Sequence, residues 1–248
     1  MNDPISRTLE TLPAALGLVL ALGSSGLAGC FEVSDEQPAK MTIADYDEVA
    51  AALSALVLDE TNGQPNAFGS ATLLAQGVVP VEFHVNGDVA MAELRGREYS
   101  LSAVCSDALG RGALCGIDAT MAHVAAAWTG DSSDFDADWT LVDLDQDVLV
   151  LAGGAQATAS VAGEVDGEVD GWRLDYRASF DDVGIDAKTR RAVSGQVFYD
   201  LTVERRADIG SEYLSVDGRL TFQADGTSTL TLDGHVYSAL RDGSIVRR

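Results

Sequence analysis

Histidine, cysteine and carboxylate side chains are the groups of this chain that could carry acid–base, metal or nucleophilic chemistry. The three histidines, His84, His123 and His235, lie far apart in sequence, and two of them fall on the polar faces of predicted strands. Surface positions are therefore the interpretation we favour over a shared metal site. The sequence contains no nucleophile elbow, His-Glu-x-x-His motif, P-loop or dinucleotide-binding glycine pattern. It identifies no catalytic, cofactor-binding or metal-binding residue, although a triad assembled by the fold stays an open alternative.

Two runs place aspartates on alternate residues: Asp143, Asp145 and Asp147 in one, and Asp134, Asp136 and Asp138 in the other. The first run opens like an EF-hand loop, but Val148 stands where the loop needs glycine and Gly154 where it needs glutamate. The second run should occupy one face of a strand. Weak calcium binding is one alternative for it, and a charged, solvated sheet edge that discourages strand association is the one we favour.

Charge excludes one class of partner. The chain has 248 residues and holds 39 Asp and Glu against 16 Lys and Arg, which gives a formal net charge of −23. Nucleic-acid binding needs a basic surface that displaces counterions from phosphates, so it is excluded as a general function. The same charge disfavours docking on anionic lipid headgroups and favours solubility.

The apolar stretch near the N-terminus is too short to span a membrane. It runs from Leu12 to Leu22, eleven residues that include Pro13 and Gly17, and is followed by Gly-Ser-Ser-Gly and Leu27-Ala28-Gly29-Cys30. As a helix it would rise about 16 Å, against a hydrocarbon core of about 30 Å. It suits the apolar region of a signal peptide, and a buried N-terminal helix of a cytoplasmic protein is the alternative.

Leu27-Ala28-Gly29-Cys30 resembles the lipobox of bacterial lipoprotein precursors, a resemblance limited to about thirty N-terminal residues. It implies cleavage between Gly29 and Cys30, a diacylglycerol thioether on Cys30 and acylation of the new amine by a fatty acid such as palmitate. It also implies that the protein contacts the membrane through this lipid. Because Phe31 and not aspartate follows the cysteine, the sorting rule of this family implies delivery to the outer membrane of the cell envelope.

The other two cysteines are predicted to form a disulfide. Cys105 and Cys115 are ten positions apart, and their spacing matches no zinc or redox motif. In an exported protein such a pair indicates a disulfide that closes a short loop.

One helix is predicted in the body of the chain, after a polar tether at residues 31–40. Its apolar residues fall at helical spacing: Tyr46, Val49, Leu53, Leu56 and Val57. Asp45 and Glu48 resemble a capping box at its start. Asn62-Gly63 should end it, and residues 64–77 are expected to form a loop or a short irregular segment.

From Val78 onward the apolar period is two, which predicts strands. Asn86-Gly87 predicts a hairpin that pairs Phe83 with Ala90. Residues 99–105 are predicted as a strand, residues 119–128 fit a strand or a helix with the strand favoured, and further strands are predicted at 139–144 and 148–161. The repeat at residues 163–171 is expected to be a solvated turn.

Four strands with one shared apolar face are predicted in the C-terminal third. Their parity predicts a β-bulge at Asp181-Asp182 and a turn near Lys188. It also predicts an odd, three-residue loop at 225–227 that sets Phe222 opposite Leu230. In that register Gly218 faces Gly234, with Tyr199 as a neighbouring aromatic able to cover the gap.

The sequence thus predicts a mainly β protein, an antiparallel curved sheet or incomplete barrel in meander order with one N-terminal α-helix packed on it. The predicted organisation is a signal peptide at 1–29, a tether at 30–41 and one domain at 42–248. The favoured function is a non-enzymatic scaffold or binding module on a lipid anchor, with an unidentified partner. The alternatives are a carrier of lipophilic ligands, similar only in architecture to the half-barrels of lipoprotein-sorting proteins, and an enzyme with a convergent site. A sizeable apolar cavity would favour the carrier.

Overall fold

A computed structural model describes residues 41–58, 64–94, 96–106, 114–116, 118–130, 133–165, 168–207, 210–240 and 243–248. All of them belong to the compact unit Pro38–Arg248, and Met1–Gln37 is the other unit. The predicted signal peptide, its cleavage site at Gly29 and Cys30, and the tether up to residue 40 lie outside the described residues.

Two helices precede the strands in the described part of the chain. The helices are α1 (Ile43–Leu58) and α2 (Gln64–Ala75). The strands are β1 (His84–Asn86), β2 (Val89–Leu94), β3 (Arg97–Cys105), β4 (Met121–Gly130), β5 (Ser133–Val142), β6 (Val148–Val165), β7 (Glu168–Asp186), β8 (Ala192–Ala207), β9 (Gly210–Phe222), β10 (Ser228–Leu232), β11 (His235–Ala239) and β12 (Ile245–Arg247).

The strands form a single antiparallel sheet in which each strand pairs with its neighbours in sequence. The sheet is not closed, since β1 and β12 end it without pairing with each other. The predicted fold class is therefore confirmed: an open, curved meander with an N-terminal helix packed on it.

Alternation of side chains gives the sheet an apolar inner face and a polar outer face. Along β5, for example, Phe135, Ala137, Trp139 and Leu141 are buried, while Asp134, Asp136 and Asp138 between them are exposed. A one-sided sheet has to cover its apolar face. Both helices do so, and α1, α2 and the inner face share one hydrophobic core.

The cap of helix α1 is Thr42, three residues before the predicted cap at Asp45. The Thr42 amide donates to Asp45 Oδ2 at 2.7 Å, and the Asp45 amide donates to the Thr42 hydroxyl at 3.3 Å. These reciprocal bonds are a capping box in which Asp45 takes the third helical position instead of the cap. The predicted cap at Asp45 with Glu48 is therefore wrong. Asp45 is instead a buried residue of the first turn.

The second helix contradicts the expected loop at residues 64–77. Its buried residues Phe68, Ala71, Leu74 and Ala75 recur at helical spacing on one face. Gly77 lies just after the end of the helix, and its φ of 78° lets its amide reach the Leu74 carbonyl while the Val78 amide reaches that of Leu73. The small side chains of this segment weakened the apolar pattern, and packing against the sheet decides the structure.

The first hairpin lies two residues from its predicted register. Phe83 does not pair with Ala90; Val85 does, and the turn is Gly87-Asp88. Gly87 has a φ of 63°, as the first central position of a type II′ turn requires. Because the shift is even, Val85 takes the position opposite the buried Ala90 that was expected for Phe83, although Val85 is itself exposed at the sheet edge.

The β9–β10 hairpin has an odd loop, as predicted, but of five residues. Phe222 lies opposite Ser228 and not opposite Leu230, which pairs with Leu220. Turn hydrogen bonds within residues 223–227 extend the loop at the expense of the strands. Gly218 consequently faces Leu232 and not Gly234, while Tyr199 lies directly across from Gly218 on β8, as expected.

Three further strand predictions have clear outcomes. The β-bulge at Asp181-Asp182 is confirmed by a register shift and by the φ of 46° at Asp182. The strand favoured for residues 119–128 is confirmed as β4, and the alternative of a helix there is wrong. The expected turn at 163–171 is wrong, because residues 163–165 and 168–171 pair with each other in β6 and β7.

The aspartates of β5 share one face, yet β5 lies inside the sheet, so they do not protect an edge.

Candidate functional site

Cys105 and Cys115 form the predicted disulfide, with their Cα atoms 5.4 Å apart. Cys105 ends β3, and the Cys115 amide donates to the Leu74 carbonyl near the end of α2 at 3.2 Å. The disulfide therefore ties the C-terminal end of α2 to the sheet. Its role in the structure is to fix a helix.

The three histidines are not brought together. His84 lies on the edge strand β1, His123 on β4 and His235 on β11. His123 Nδ1 is 2.9 Å from the Thr140 hydroxyl, and the His235 and Tyr46 ring centroids lie 4.2 Å apart with the rings tilted by 30°. Each histidine thus belongs to a different part of the sheet.

Within the described ranges, no three His, Cys, Asp or Glu side chains are positioned to hold a metal ion. This holds for both aspartate runs, so neither supports the calcium alternative. In the same residues, neither helix combines the length and apolar composition needed to cross a bilayer.

An apolar cavity of about 240 Å³ opens where the two helices meet the turns that follow β7, β9 and β11. We call it the end pocket. Its apolar lining comes from both helices and from the sheet: Val57, Leu58, Phe68, Val193, Phe222 and Leu240. Among the described residues, the lining contains no histidine, cysteine or carboxylate, and its charged groups are Arg190 and Arg191.

Phe68 forms the floor of the end pocket and belongs to an aromatic cluster. Its ring lies 5.0 Å from that of Trp139 and 5.6 Å from that of Phe180. Phe68 is 3% exposed, so its packing against these two rings holds this boundary of the cavity in place.

The two arginines belong to the turn between β7 and β8, which we call the basic turn (residues 186–191). Asp186 Oδ1 accepts hydrogen bonds from the Lys188 amide at 3.1 Å, the Thr189 amide at 2.6 Å and the Thr189 hydroxyl at 2.8 Å. Hydrogen bonds from Thr189 are the largest cause that holds the pKa of Asp186 below its ordinary value. A charged carboxylate therefore organises the turn that carries the cations.

Arg190 and Lys188 of the basic turn differ in their charge partners. Lys188 pairs with Asp147 at 3.3 Å, with both side chains highly exposed. Among the described residues, no carboxylate lies within ion-pair distance of the Arg190 guanidinium. Arg190 has a φ of 59°, and its amide donates to the Asp186 carbonyl at 2.7 Å. The backbone of the turn thus fixes where this side chain leaves the chain.

A narrow crevice continues from the end pocket, since Val57 and Leu58 border both. It has no room for a water molecule and is lined by two buried hydroxyl residues, Ser54 and Tyr199. In the described part of the chain neither hydroxyl has a hydrogen-bond partner. Burial, with a smaller contribution from Tyr176, raises the pKa of Tyr199 well above its ordinary value, so this phenol stays neutral.

A second concavity, of about 630 Å³, lies on the polar outer face across β4 to β8. Four aspartates and one arginine contribute to its lining: Asp134, Asp136, Asp175, Asp200 and Arg177. Asp175 already accepts hydrogen bonds from Thr158 at 2.5 Å and from Arg173 at 3.2 Å. The outer concavity is thus an acidic, solvated surface whose polar groups are partly satisfied by one another.

The N-terminal end of α1 is fixed by polar contacts far from the end pocket. Asp45 forms an ion pair with Arg205 of β8. Burial raises the pKa of Asp45, but hydrogen bonds from Thr42 and Arg205 and the charge of Arg205 outweigh burial, so the pKa lies below its ordinary value. The Tyr46 hydroxyl donates to Asp233 at 2.9 Å.

Asp47 adds a second set of links between α1 and the last strands. It accepts a hydrogen bond from the Tyr237 hydroxyl at 3.0 Å and pairs with Arg247 at 3.2 Å. Burial and the hydrogen bond to Asp47 raise the pKa of Tyr237 to about 12, which keeps the phenol protonated as a donor.

Sequence reasoning did not identify the residues of the end pocket. Two signals were present. Lys188, Arg190 and Arg191 place three cations within four positions in a chain with 16 Lys and Arg. Phe68 and Leu74 lie on one face of a helix that begins with Gln64-Pro65, and proline is well tolerated in the first turn. What the sequence did not reveal is that α2 brings its apolar face beside the basic turn.

Comparison with known protein families, curated proteins and solved structures finds no match to this chain.

Proposed function

We propose that this protein is a non-enzymatic binding module on a lipid anchor in the bacterial cell envelope, sorted to the outer membrane. The anchor is inferred from Leu27-Ala28-Gly29-Cys30 and its resemblance to a lipobox. In this proposal the chain is cleaved after Gly29, and Cys30 carries the lipid that holds the body at the membrane.

The observation that supports binding is the end pocket. The helices cover the apolar face of the sheet but leave about 240 Å³ open between them and the strand ends. An apolar lining with a few polar groups at one side is typical of small-molecule sites. Because the described residues of the lining include no histidine, cysteine or carboxylate, the end pocket favours binding over acid–base or nucleophilic chemistry.

The carrier of lipophilic ligands is the second candidate, and the apolar character of the end pocket is the observation in its favour. The volume argues against a cargo with several acyl chains, since it is below the roughly 300–1,000 Å³ of common ligand pockets. A carrier would need the helices to withdraw from the sheet. The contacts that hold the N-terminal end of α1 and the C-terminal end of α2 oppose such a movement.

Metabolic labelling tests the anchor. The full chain is produced in a Gram-negative host fed an alkyne analogue of palmitate. We expect label on the wild-type protein in the membrane fraction and none on Cys30→Ser. The double variant Cys105→Ser/Cys115→Ser is the matched control and should keep its label. Equal labelling of wild type and Cys30→Ser would refute the anchor.

Native mass spectrometry of the Cys30→Ser chain, exported to the periplasm, tests binding. A small adduct that is lost on denaturation supports the binding module. An adduct with the mass of a diacyl lipid or lipoprotein would favour the carrier. Bare chains in every preparation would direct the search to protein partners and the scaffold hypothesis.

A further inference from the structure

We infer that the end pocket binds a single-chain amphipathic anion, with its apolar tail between the helices and the sheet and its anionic head against Arg190. This inference rests on the proposed binding function and names the ligand class of the same site. Volume, charge and the shape of the cavity support it independently.

The size of the cavity limits the tail. About 240 Å³ corresponds to roughly eight water molecules, or to a tail of roughly eight to ten carbons. The cavity does not extend usefully further, because the crevice beyond Val57 and Leu58 has no free volume and is bordered by the hydroxyls of Ser54 and Tyr199. Burying apolar tail against those unpaired hydroxyls would gain little, so the tail is expected to end before the crevice.

Charge selects the head group. A chain with a net charge of −23 repels anions over most of its surface, so an anion needs local cations to bind. The end pocket is bordered by two exposed arginines, and Arg190 has no carboxylate partner among the described residues. A guanidinium beside an apolar surface binds a carboxylate through two parallel N–H donors.

The geometry of the basic turn makes Arg190 a fixed element of the site. Three hydrogen bonds to Asp186 hold the turn, and Arg190 occupies the left-handed region with its amide bonded to the Asp186 carbonyl. A Cβ on Gly69 of α2 would lie 3.9 Å from the Arg190 Cβ, so the arginine starts beside the helix that forms the pocket floor. Little rearrangement is therefore needed for it to meet a head group at the mouth.

Isothermal titration calorimetry of the full Cys30→Ser chain with decanoate and decanol tests the inference, because the two probes share a tail and differ in charge. We expect decanoate to bind about tenfold more tightly than decanol. Arg190→Asn should remove this preference, so that decanoate binds no more tightly than decanol. Asparagine is chosen because it tolerates the left-handed conformation of residue 190. Arg219→Asn, which removes an exposed charge from the outer face of β9, is the matched control and should behave as wild type.

A second variant tests the location. Ala224 is exposed on the β9–β10 turn and lines the end pocket, so Ala224→Trp should obstruct the mouth and weaken both probes at least tenfold. Ser215→Trp on the outer face is its control and should have no effect.

Three outcomes would overturn the inference: neither probe binds, the two bind equally to wild type, or Ala224→Trp leaves both affinities unchanged. Labelling at Cys30 does not depend on these titrations. Loss of probe binding with normal labelling would reject the ligand class alone, whereas absent labelling with normal titrations would reject the anchor alone.

Discussion

The outer ends of the two helices are fixed to the sheet, whereas the inner ends, which follow each other in sequence, border the end pocket. At the outer ends, Asp45 pairs with Arg205 and the disulfide holds the segment that meets the end of α2. At the inner ends, Leu58 and Phe68 present apolar surface to a cavity. Each helix is therefore held by specific polar or covalent contacts at one end and faces an apolar cavity at the other.

This difference between the two ends of the helices indicates where the fold can accept a ligand. An open meander must cover its apolar face, and specific polar or covalent contacts at a few points are enough to orient the cover. Space between those points can stay unfilled, at a cost in stability that grows with its volume. Ligand binding at the inner ends would recover part of that cost without breaking the contacts at the outer ends.

Removing the pocket floor should have the largest effect. Phe68→Ala deletes a buried ring that contacts Trp139 and Phe180, and we expect a loss of about 3–5 kcal/mol in the free energy of unfolding. Urea denaturation measures it. Phe198→Ala, at a ring that is 43% exposed on the outer face, is the matched control and should cost less than about 1 kcal/mol.

The enlarged pocket of Phe68→Ala also sharpens the ligand assignment. If the variant stays folded, its preference should shift from decanoate toward tetradecanoate, because the tail gains the volume of the ring. An unchanged preference for chain length would contradict the assignment of Phe68 as the floor.

Breaking the disulfide should have the next largest effect. The bond closes a loop between residues ten positions apart, so Cys105→Ala/Cys115→Ala should lower the free energy of unfolding by about 2–3 kcal/mol. Hydrogen exchange should accelerate most in amides 76–78 at the end of α2. If the amides of the basic turn accelerate equally, the outer and inner ends of the helices are coupled. That result would contradict the distinction between fixed outer ends and inner ends that border the end pocket.

The sequence predicted the sheet well and the helices only in part. Strict alternation in β7 to β10 determined which side chains face inward, and parity gave the bulge at Asp182 and the odd β9–β10 loop. Two hairpin registers were missed by two residues each. In the β9–β10 hairpin, turn hydrogen bonds within residues 223–227 and not the side-chain pattern decide where the strands end. Helix α2 was missed because its small residues become a helical face only against the aromatic cluster of the sheet.

The candidate site was harder to predict for the same reason. The disulfide was predicted from two cysteines ten positions apart in a chain that was expected to be exported, so a short stretch of sequence was enough. The end pocket needs Leu58, Phe68, Arg190 and Phe222, which are distant in sequence and meet only through the curvature of the sheet and the position of α2. No spacing rule applies to such a set.

Asp45→Asn should weaken the fixed end of α1 by about 1–2 kcal/mol at neutral pH, since it removes the charge that pairs with Arg205. The folded-state pKa of Asp45 is lowered, so its stabilisation is present above the unfolded pKa, near about 3.9, and is lost as pH falls through the folded value. The difference between wild type and variant should therefore shrink below about pH 4. A difference that is constant from pH 7 to pH 3 would contradict a charged Asp45 in the native state. Thermal denaturation of both proteins across that range measures it.

The smallest changes replace a glycine by alanine, once within α2 and once just after its end. We expect the two substitutions to change the free energy of unfolding in opposite directions. Gly77 has a φ of 78°, and a Cβ there would lie 2.7 Å from the Cys115 carbonyl oxygen, so Gly77→Ala should destabilise by about 1–2 kcal/mol or more. Gly69 has helical backbone, and its Cβ would meet only the Arg190 Cβ at 3.9 Å, an ordinary contact. Gly69→Ala should therefore stabilise by about 0.5–1 kcal/mol. Chemical denaturation of the two variants beside wild type gives both signs in one experiment. If Gly69→Ala also destabilises, the inner end of α2 is as tightly packed as the outer end, and the space assigned to a ligand is not available.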